Sequence, residues 1–323
     1  MISTRRFGFL AVAVLVAACA APGATTRPSV ATSAGASAGP TTAPTVAPTV
    51  APPSATAAAN IPAVVCVGEA TTYLDWLNGE FQPDAQDPIT EPASTTGDLL
   101  ETIQANGVLR VSVDKDYAPQ SFLQPDGSFV GFDVDVATAI AEGLGVEAEF
   151  QHVDWDLITA GSWAGRWDIS VGSMTITTPR KDILSFTQPY YYTPAFMAAS
   201  TRSGITDIDQ LPFELPDGVT ATTLPTDANC IEAIAAGRPE FDLVITSGTV
   251  IDEAIQNDQP VVKIEEPGFV EDLAVAIDKS GPPHAALLYE IDQIIGTMHE
   301  DGTLTALSEE WFEGADLTQP PAE

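Results

Sequence analysis

Residues 131–144 read GFDVDVATAIAEGL and constrain the fold more than any other stretch. A strand predicted over 130–132 turns straight into a helix. Asp133 and Asp135 put carboxylates in the first helical turn, where free N–H groups and the positive dipole end favour them. Val136, Ile140 and Leu144 then recur every four residues as one buried stripe. The flanking sequence continues in kind. A helix is predicted over 99–106, closed by Gly107, and an alternating strand over 108–113. Further strands are predicted at 146–151 and 168–173, with a helix between them over 156–165. Towards the C-terminus the pattern gives a strand at 273–277, an amphipathic helix at 285–299 and a last helix ending near Trp311-Phe312. Such alternation predicts parallel α/β layers.

The fourteen residues also fill every constrained position of a known pattern. They resemble the signature of the family 3 extracellular solute-binding proteins, the polar amino-acid receptors of ABC importers. The phrase DGTLTALSEEWF (301–312) is similar to the end of such a receptor. The resemblance implies an α/β, two-lobed, type II periplasmic-binding-protein-like fold, each lobe a sheet flanked by helices. In that family the chain leaves lobe 1, builds lobe 2 and returns. Lobe 1 then falls at 98–192 and 271–323, and lobe 2 at 193–270. The implied function is capture of an amino acid or related small carboxylate, without turnover.

The N-terminus reads as a targeting segment. Arg5 and Arg6 form a basic n-region, and the apolar run 7–18 is too short to span a membrane stably. Val16-Ala17-Ala18-Cys19 looks like a bacterial lipobox, so cleavage of a 1–18 signal peptide leaves Cys19 as a lipidated N-terminus. The alternatives are an uncleaved anchor and a plain signal peptide cut nearby. Residues 19–60 are mostly Ala, Thr, Pro, Ser and Gly, with Ala-Pro-Thr-Val repeated, and read as a flexible tether. The remainder is comfortable for two lobes. With 12 basic and 45 acidic residues the formal net charge is −33. That argues against nucleic acid as a partner and against adhesion to anionic lipid except through the anchor.

The resemblance also exposes a departure. Relatives enter lobe 2 with a strand, a Gly-Thr-Thr-Tyr-like turn and a helix, followed by a second strand and helix. Here 205–211 matches the usual lead-in, yet 218–224 already reads as the second strand and 227–237 as the second helix. A unit of the missing kind lies at 61–79, IPAVVCVGEATTYLDWLNG: strand-like 63–67, a turn through Glu69, Thr71 and Thr72, and a helix from Tyr73. This suggests a permuted lobe 2, with 61–82 folding into it from the N-terminus and 83–97 crossing to lobe 1. The alternative is an extension packed elsewhere over a shortened lobe. The cysteines besides Cys19 are Cys66 and Cys230. In the permuted arrangement both sit in lobe 2 and a disulfide between them is plausible, worth roughly 4–5 kcal/mol in the chain-entropy view. The alternative is two buried thiols.

Arg180 is the leading ligand candidate, because a planar guanidinium grips a carboxylate with two parallel hydrogen bonds. In the resembled family this position takes the α-carboxylate, helped by the residue at Thr175 and by backbone groups at Gly172 and Ser173. The competing reading is a surface ion pair. Tyr117 and Trp155 correspond to the aromatic walls around the ligand side chain, and Asp114 faces the same pocket. Thr71 and Thr72, at a helix start, suit a carboxylate. The family's ammonium-binding aspartate falls on Ser247, whose hydroxyl supplies no charge; Glu69 is an alternative acid. No metal spacing, nucleophile elbow, phosphate loop or dinucleotide fingerprint occurs, so no cofactor is implied. The implied partners are a small-molecule ligand and an ABC permease. The implied protein is a monomer held by its lipid at the outer face of the cell membrane. Two other readings stay open: a dehydratase-like cleft enzyme using Asp114 or Glu69, and a ligand sensor signalling through a partner.

Overall fold

Two long antiparallel strands form the spine of the molecule. The computed structural model describes residues 64–67, 84–211 and 219–320, apart from the side chains of 64, 65, 67 and 265–267, and all of these lie in one compact unit, Ala55–Glu323. The strands in chain order are β1 (Val64–Val67), β2 (Val108–Val113), β3 (Asp116–Tyr117), β4 (Ser121–Leu123), β5 (Phe129–Val130), β6 (Glu147–His152), β7 (Ile169–Thr175), β8 (Leu184–Ser200), β9 (Thr220–Thr223), β10 (Leu243–Ser247) and β11 (Val261–Asp278). The helices are α1 (Leu99–Asn106), α2 (Phe132–Leu144), α3 (Trp155–Thr159), α4 (Thr178–Ile183), α5 (Asp227–Ala235), α6 (Gly248–Gln256), α7 (Ala285–Glu300) and α8 (Thr303–Trp311).

Eight strands make one sheet in the order β6-β2-β7-β11-β8-β10-β1-β9, and β3-β4-β5 form a small second sheet. The spine strands β8 and β11 pair antiparallel and run through both halves. Outward from them each half repeats one plan. In the first, β7 is antiparallel to β11, β2 is parallel to β7, and β6 is parallel to β2. In the second, β10 is antiparallel to β8, β1 is parallel to β10, and β9 is parallel to β1. Each half thus has a central strand flanked by two parallel neighbours, with two crossing strands shared between them. This is the two-lobed α/β architecture that the family resemblance implies.

The opening motif packs as its periodicity predicts. Val136, Ile140 and Leu144 of α2 are buried against Leu109, Val111, Ile291 and Ile295. Gly131 has φ 131°, and a Cβ there would sit 2.3 Å from the Gln120 carbonyl oxygen. That close approach has a use: the carbonyls of Pro119 and Gln120 accept the free amides of Phe132 and Asp133 at 3.2 and 2.8 Å. The acids do more than complement the helix dipole. Asp133 is fully buried and accepts from Tyr190 Oη at 2.7 Å and Ser173 Oγ at 2.9 Å. Asp135 accepts from the indole N–H of Trp311 at 2.7 Å, tying α2 to the end of α8. Asp98 joins two helices in the same way. Its carboxylate takes the amides of Leu100 in α1 and of Ala286 and Leu287 in α7.

Where local patterning misleads, the cause is visible. The predicted helix over 156–165 stops at Thr159, because Gly161, Ser162, Ala164 and Gly165 all adopt positive φ. The loop they form buries Trp163 and Trp167 against Met174 and Phe186, and Asp278 accepts the Trp163 amide at 2.7 Å. The spine strands lack strict alternation, and β8 contains Pro189 and Pro194, which local rules read as breaks. Register shifts in the β8–β11 pairing accommodate such interruptions over 17 and 18 residues.

In the second half, Cys66 of β1 and Cys230 of α5 are disulfide-bonded, with Cα atoms 5.7 Å apart and both side chains fully buried. The bond joins the central strand to a helix packed on it, beside Ile231, Val244 and Ile251. The segment 84–97 forms no helix or strand and is held to the first half. Lys181 of α4 pairs with Asp84 at 3.1 Å and Asp87 at 2.8 Å, and Gln86 donates to Asp292 of α7.

Candidate ligand site

Parallel α/β units place loops at the C-terminal ends of their strands, and ligand groups gather there. Asp114 follows β2, Trp155 opens α3 after β6, and Gly172, Ser173 and Thr175 lie near the end of β7. Arg180 comes one short turn later, on α4. From the second half, Pro225, Thr226 and Asp227 follow β9 and open α5. Asp114, Tyr117, Trp155 and Gly172 line one pocket together with Pro225, Thr226 and Asp227, so that pocket lies between the two halves. Tyr117 is half-buried and packs on the second half's core cluster, which includes Cys66, Cys230 and Val250.

Arg180 is buried, 4% exposed, which is unusual for a guanidinium. Its Nη1 donates to the Thr175 carbonyl at 2.9 Å, and its Cζ lies 5.3 Å from the centre of the Trp155 ring. The Thr175 hydroxyl donates to Glu271 Oε1 at 2.8 Å, bringing a buried acid of β11 to the same place. Ser173 has φ 52°, a strained conformation for a non-glycine residue in a strand. Its amide donates to Tyr190 Oη at 2.9 Å, while its hydroxyl donates to Asp133 and accepts from Tyr191 Oη.

Burial raises the carboxyl pKa of Asp114, an effect partly opposed by the amides of Asp116 and Lys115 and by His152 nearby. Ser247 lies apart from the pocket. It ends β10, is fully buried, and belongs to a chain of hydroxyls with Thr193 Oγ1 at 3.2 Å and Thr249 Oγ1 at 2.8 Å. Gln120 of the first half donates to Thr249 at 2.5 Å, so this chain joins the halves. Thr71, Thr72 and Glu69, like Cys19, lie outside the described residues.

The structure therefore brings Asp114, Tyr117, Trp155 and Gly172 together with Arg180 beside them. Sequence reasoning missed Asp227 and Glu271. Asp227 had a signal, a Pro-Thr-Asp turn at a strand's C-terminal end, that was absorbed into the helix start. Glu271 had none, because the spine strand that carries it is irregular in pattern. Among the described residues no group of three His, Cys, Asp or Glu side chains is placed to hold a metal ion. No described helix is long and apolar enough to cross a membrane.

Comparison with known proteins agrees with this geometry. Residues 109–314 match the model of the bacterial extracellular solute-binding proteins, family 3. The chain belongs to that family. It is 28% identical over 240 residues to the L-cystine-binding protein TcyJ of Escherichia coli (strain K12), covering 68% of this chain and 88% of the relative. It is 29% identical over 240 residues to a probable amino-acid ABC transporter-binding protein of Haemophilus influenzae, covering 70% and 92%. Among solved structures it is similar to an ancestral amino acid-binding protein, AncCDT-1, described as a precursor of cyclohexadienyl dehydratase. That likeness has a TM-score of 0.58 and 28% identity, over 67% of this chain and all of the other. These relatives are named as binding proteins, and the fold is the type II periplasmic-binding-protein-like one.

Proposed function

We propose that this family 3 solute-binding protein captures an amino acid, or a related small carboxylate, outside the membrane and delivers it to the permease of an ABC importer. The observation that carries the reading is the buried Arg180 beside Trp155, at the edge of a pocket whose walls come from both halves. The ligand carboxylate meets the guanidinium, and the side chain lies between Tyr117 and Trp155. Binding shifts the population towards the closed arrangement of the lobes. The second lobe takes its central strand from the N-terminal segment 61–82, with 83–97 returning to the first lobe; the place of β1 between β9 and β10 supports this permuted assembly. A disulfide suits an oxidising, extracytoplasmic site, in keeping with the relatives and with a lipid anchor at Cys19.

A thermal-shift panel of amino acids, amino-acid derivatives and simple carboxylates tests the reading, since a ligand that binds only the folded state raises its melting temperature. At least one amino acid or carboxylate should raise it in wild type and fail to do so in Arg180→Ala. Following the same mixtures for product separates capture from turnover.

A further inference from the structure

We infer that Lys181, clamped by Asp84 and Asp87, is a positioning residue for Arg180: it holds the short helix α4 so that the guanidinium meets a ligand carboxylate in a fixed orientation. The inference rests on the ligand-capture reading above. Residues 84–87 form a strap that precedes 109–314, the stretch matched to the family. The strap grips α4 at several points. Lys181 Nζ lies 3.1 Å from Asp84 Oδ2 and 2.8 Å from Asp87 Oδ1, and it donates to the Ala85 carbonyl at 2.7 Å. An ammonium has three N–H donors, and these three acceptors of the strap match them. Thr178 Oγ1 donates to Asp84 Oδ2 at 3.2 Å, and the Asp84 amide donates to the Ile176 carbonyl at 3.4 Å.

Helix α4 needs such support. It has six residues, too few for a helix to persist by itself in water. Its N-cap, Thr177, makes no side-chain capping bond among the described residues, and Arg180 is its one buried residue. Ile183 is 38% exposed, so no apolar side chain of the helix anchors it. The buried Ile176 and Leu184 hold only the chain on either side. The strap supplies the missing outer contacts. It is itself fixed at Gln86, which donates to Asp292 of α7 at 3.0 Å.

Lys181 follows Arg180 directly in the chain. Its side chain is only 15% exposed and meets the strap, while Arg180 meets the Thr175 carbonyl and the Trp155 ring. Fixing one residue of a single helical turn fixes its neighbour, so the clamp limits how far the Arg180 backbone moves before a ligand arrives. A two-bond grip on a carboxylate depends on orientation, and a group ordered in advance loses less freedom on binding. None of Asp84, Asp87 and Lys181 lines the pocket between the halves, so their effect on a ligand runs through α4.

The test is isothermal titration of the purified, oxidised protein with the tightest binder among the common L-amino acids and L-cystine, and with the α-carboxamide of that binder. The ratio of the two affinities measures what the carboxylate gains from Arg180. Two variants break the clamp from opposite sides: Lys181→Met, and Asp84→Ala combined with Asp87→Ala. Each should lower the ratio by at least about threefold, within the range of partly screened charge pairs. The variants change net charge in opposite senses, so a through-space effect on the ligand shifts the ratio in opposite directions, while lost positioning lowers it in both. Binding stoichiometry and the melting temperature without ligand monitor folding, and Lys181→Gln replaces the Met variant where that one does not fold. A smaller change in either folded variant, or opposite shifts in the two, overturns the inference while leaving capture intact. If acid and carboxamide bind wild type equally, Arg180 is no carboxylate anchor and the inference falls with it. If none of the amino acids binds wild type, amino-acid capture itself fails.

Discussion

Replacing Asp133 by Asn should alter how stability depends on pH, because this carboxyl is fully buried with no cation beside it among its hydrogen-bond partners. Burial pushes its pKa from the ordinary 3.8 up to about 7, against the opposing pull of the Tyr190 and Ser173 hydroxyls. Below pH 3.8 the group is protonated whether the chain is folded or not, and it contributes no pH dependence. Between 3.8 and about 7 the folded state keeps the proton and the unfolded state does not, so each pH unit upward destabilises the fold by about 1.4 kcal/mol. Above about 7 the effect is constant. Raising the pH from 5 to 8 therefore removes about 3 kcal/mol of stability through this group. Asn cannot titrate, and its carbonyl oxygen still accepts from Tyr190 and Ser173. Urea unfolding of both proteins at pH 5 and pH 8 isolates the effect from the many surface acids they share. The Asn variant should gain about 3 kcal/mol relative to wild type across that interval. A wild-type-minus-variant difference that stays constant would refute the argument and mean that Asp133 is ionised within the fold.

Two further outcomes concern the scaffold. Reducing the Cys66–Cys230 bond, which closes a separation of 164 residues, should lower stability by about 5 kcal/mol in the chain-entropy view. Non-reducing peptide mapping should recover the linked peptides, and their absence would contradict the pairing. Gly131→Ala should cost roughly 2–4 kcal/mol, since its Cβ meets a backbone carbonyl and its φ disfavours any side chain. A melting temperature within a degree of wild type would show that the Gln120 carbonyl moves aside freely.

The first half of the molecule was largely legible in the sequence, because its elements are local and regular. The helix over 99–106 and the strand over 108–113 follow from apolar spacing and from Gly107 as a stop, and both occur as read. The spine strands were not legible, because their partners lie far away and their register shifts erase alternation. Arg180 stands out as a scarce cation in an acidic chain and by the family pattern around it, whereas Tyr117 and Trp155 are marked only by the family resemblance, since alone either reads as a core or rim aromatic. Asp227 does not stand out, because a helix start already explains an acid there. Asp133 is the instructive case. The dipole argument accounts for its position in the helix, but only the approach of Ser173 and Tyr190, some 40 and 57 residues away, accounts for its burial.

The most direct test of ligand capture is equilibrium binding of the amino-acid and carboxylate panel to wild type and to Arg180→Ala, measured side by side by titration calorimetry. Wild type should bind at least one α-amino acid or carboxylate saturably, with one ligand per chain, and the substitution should remove most of that affinity while the protein remains folded. Undiminished affinity in the variant would contradict a carboxylate anchor at Arg180, and the absence of any binding to wild type would contradict the account of the cleft as a capture site.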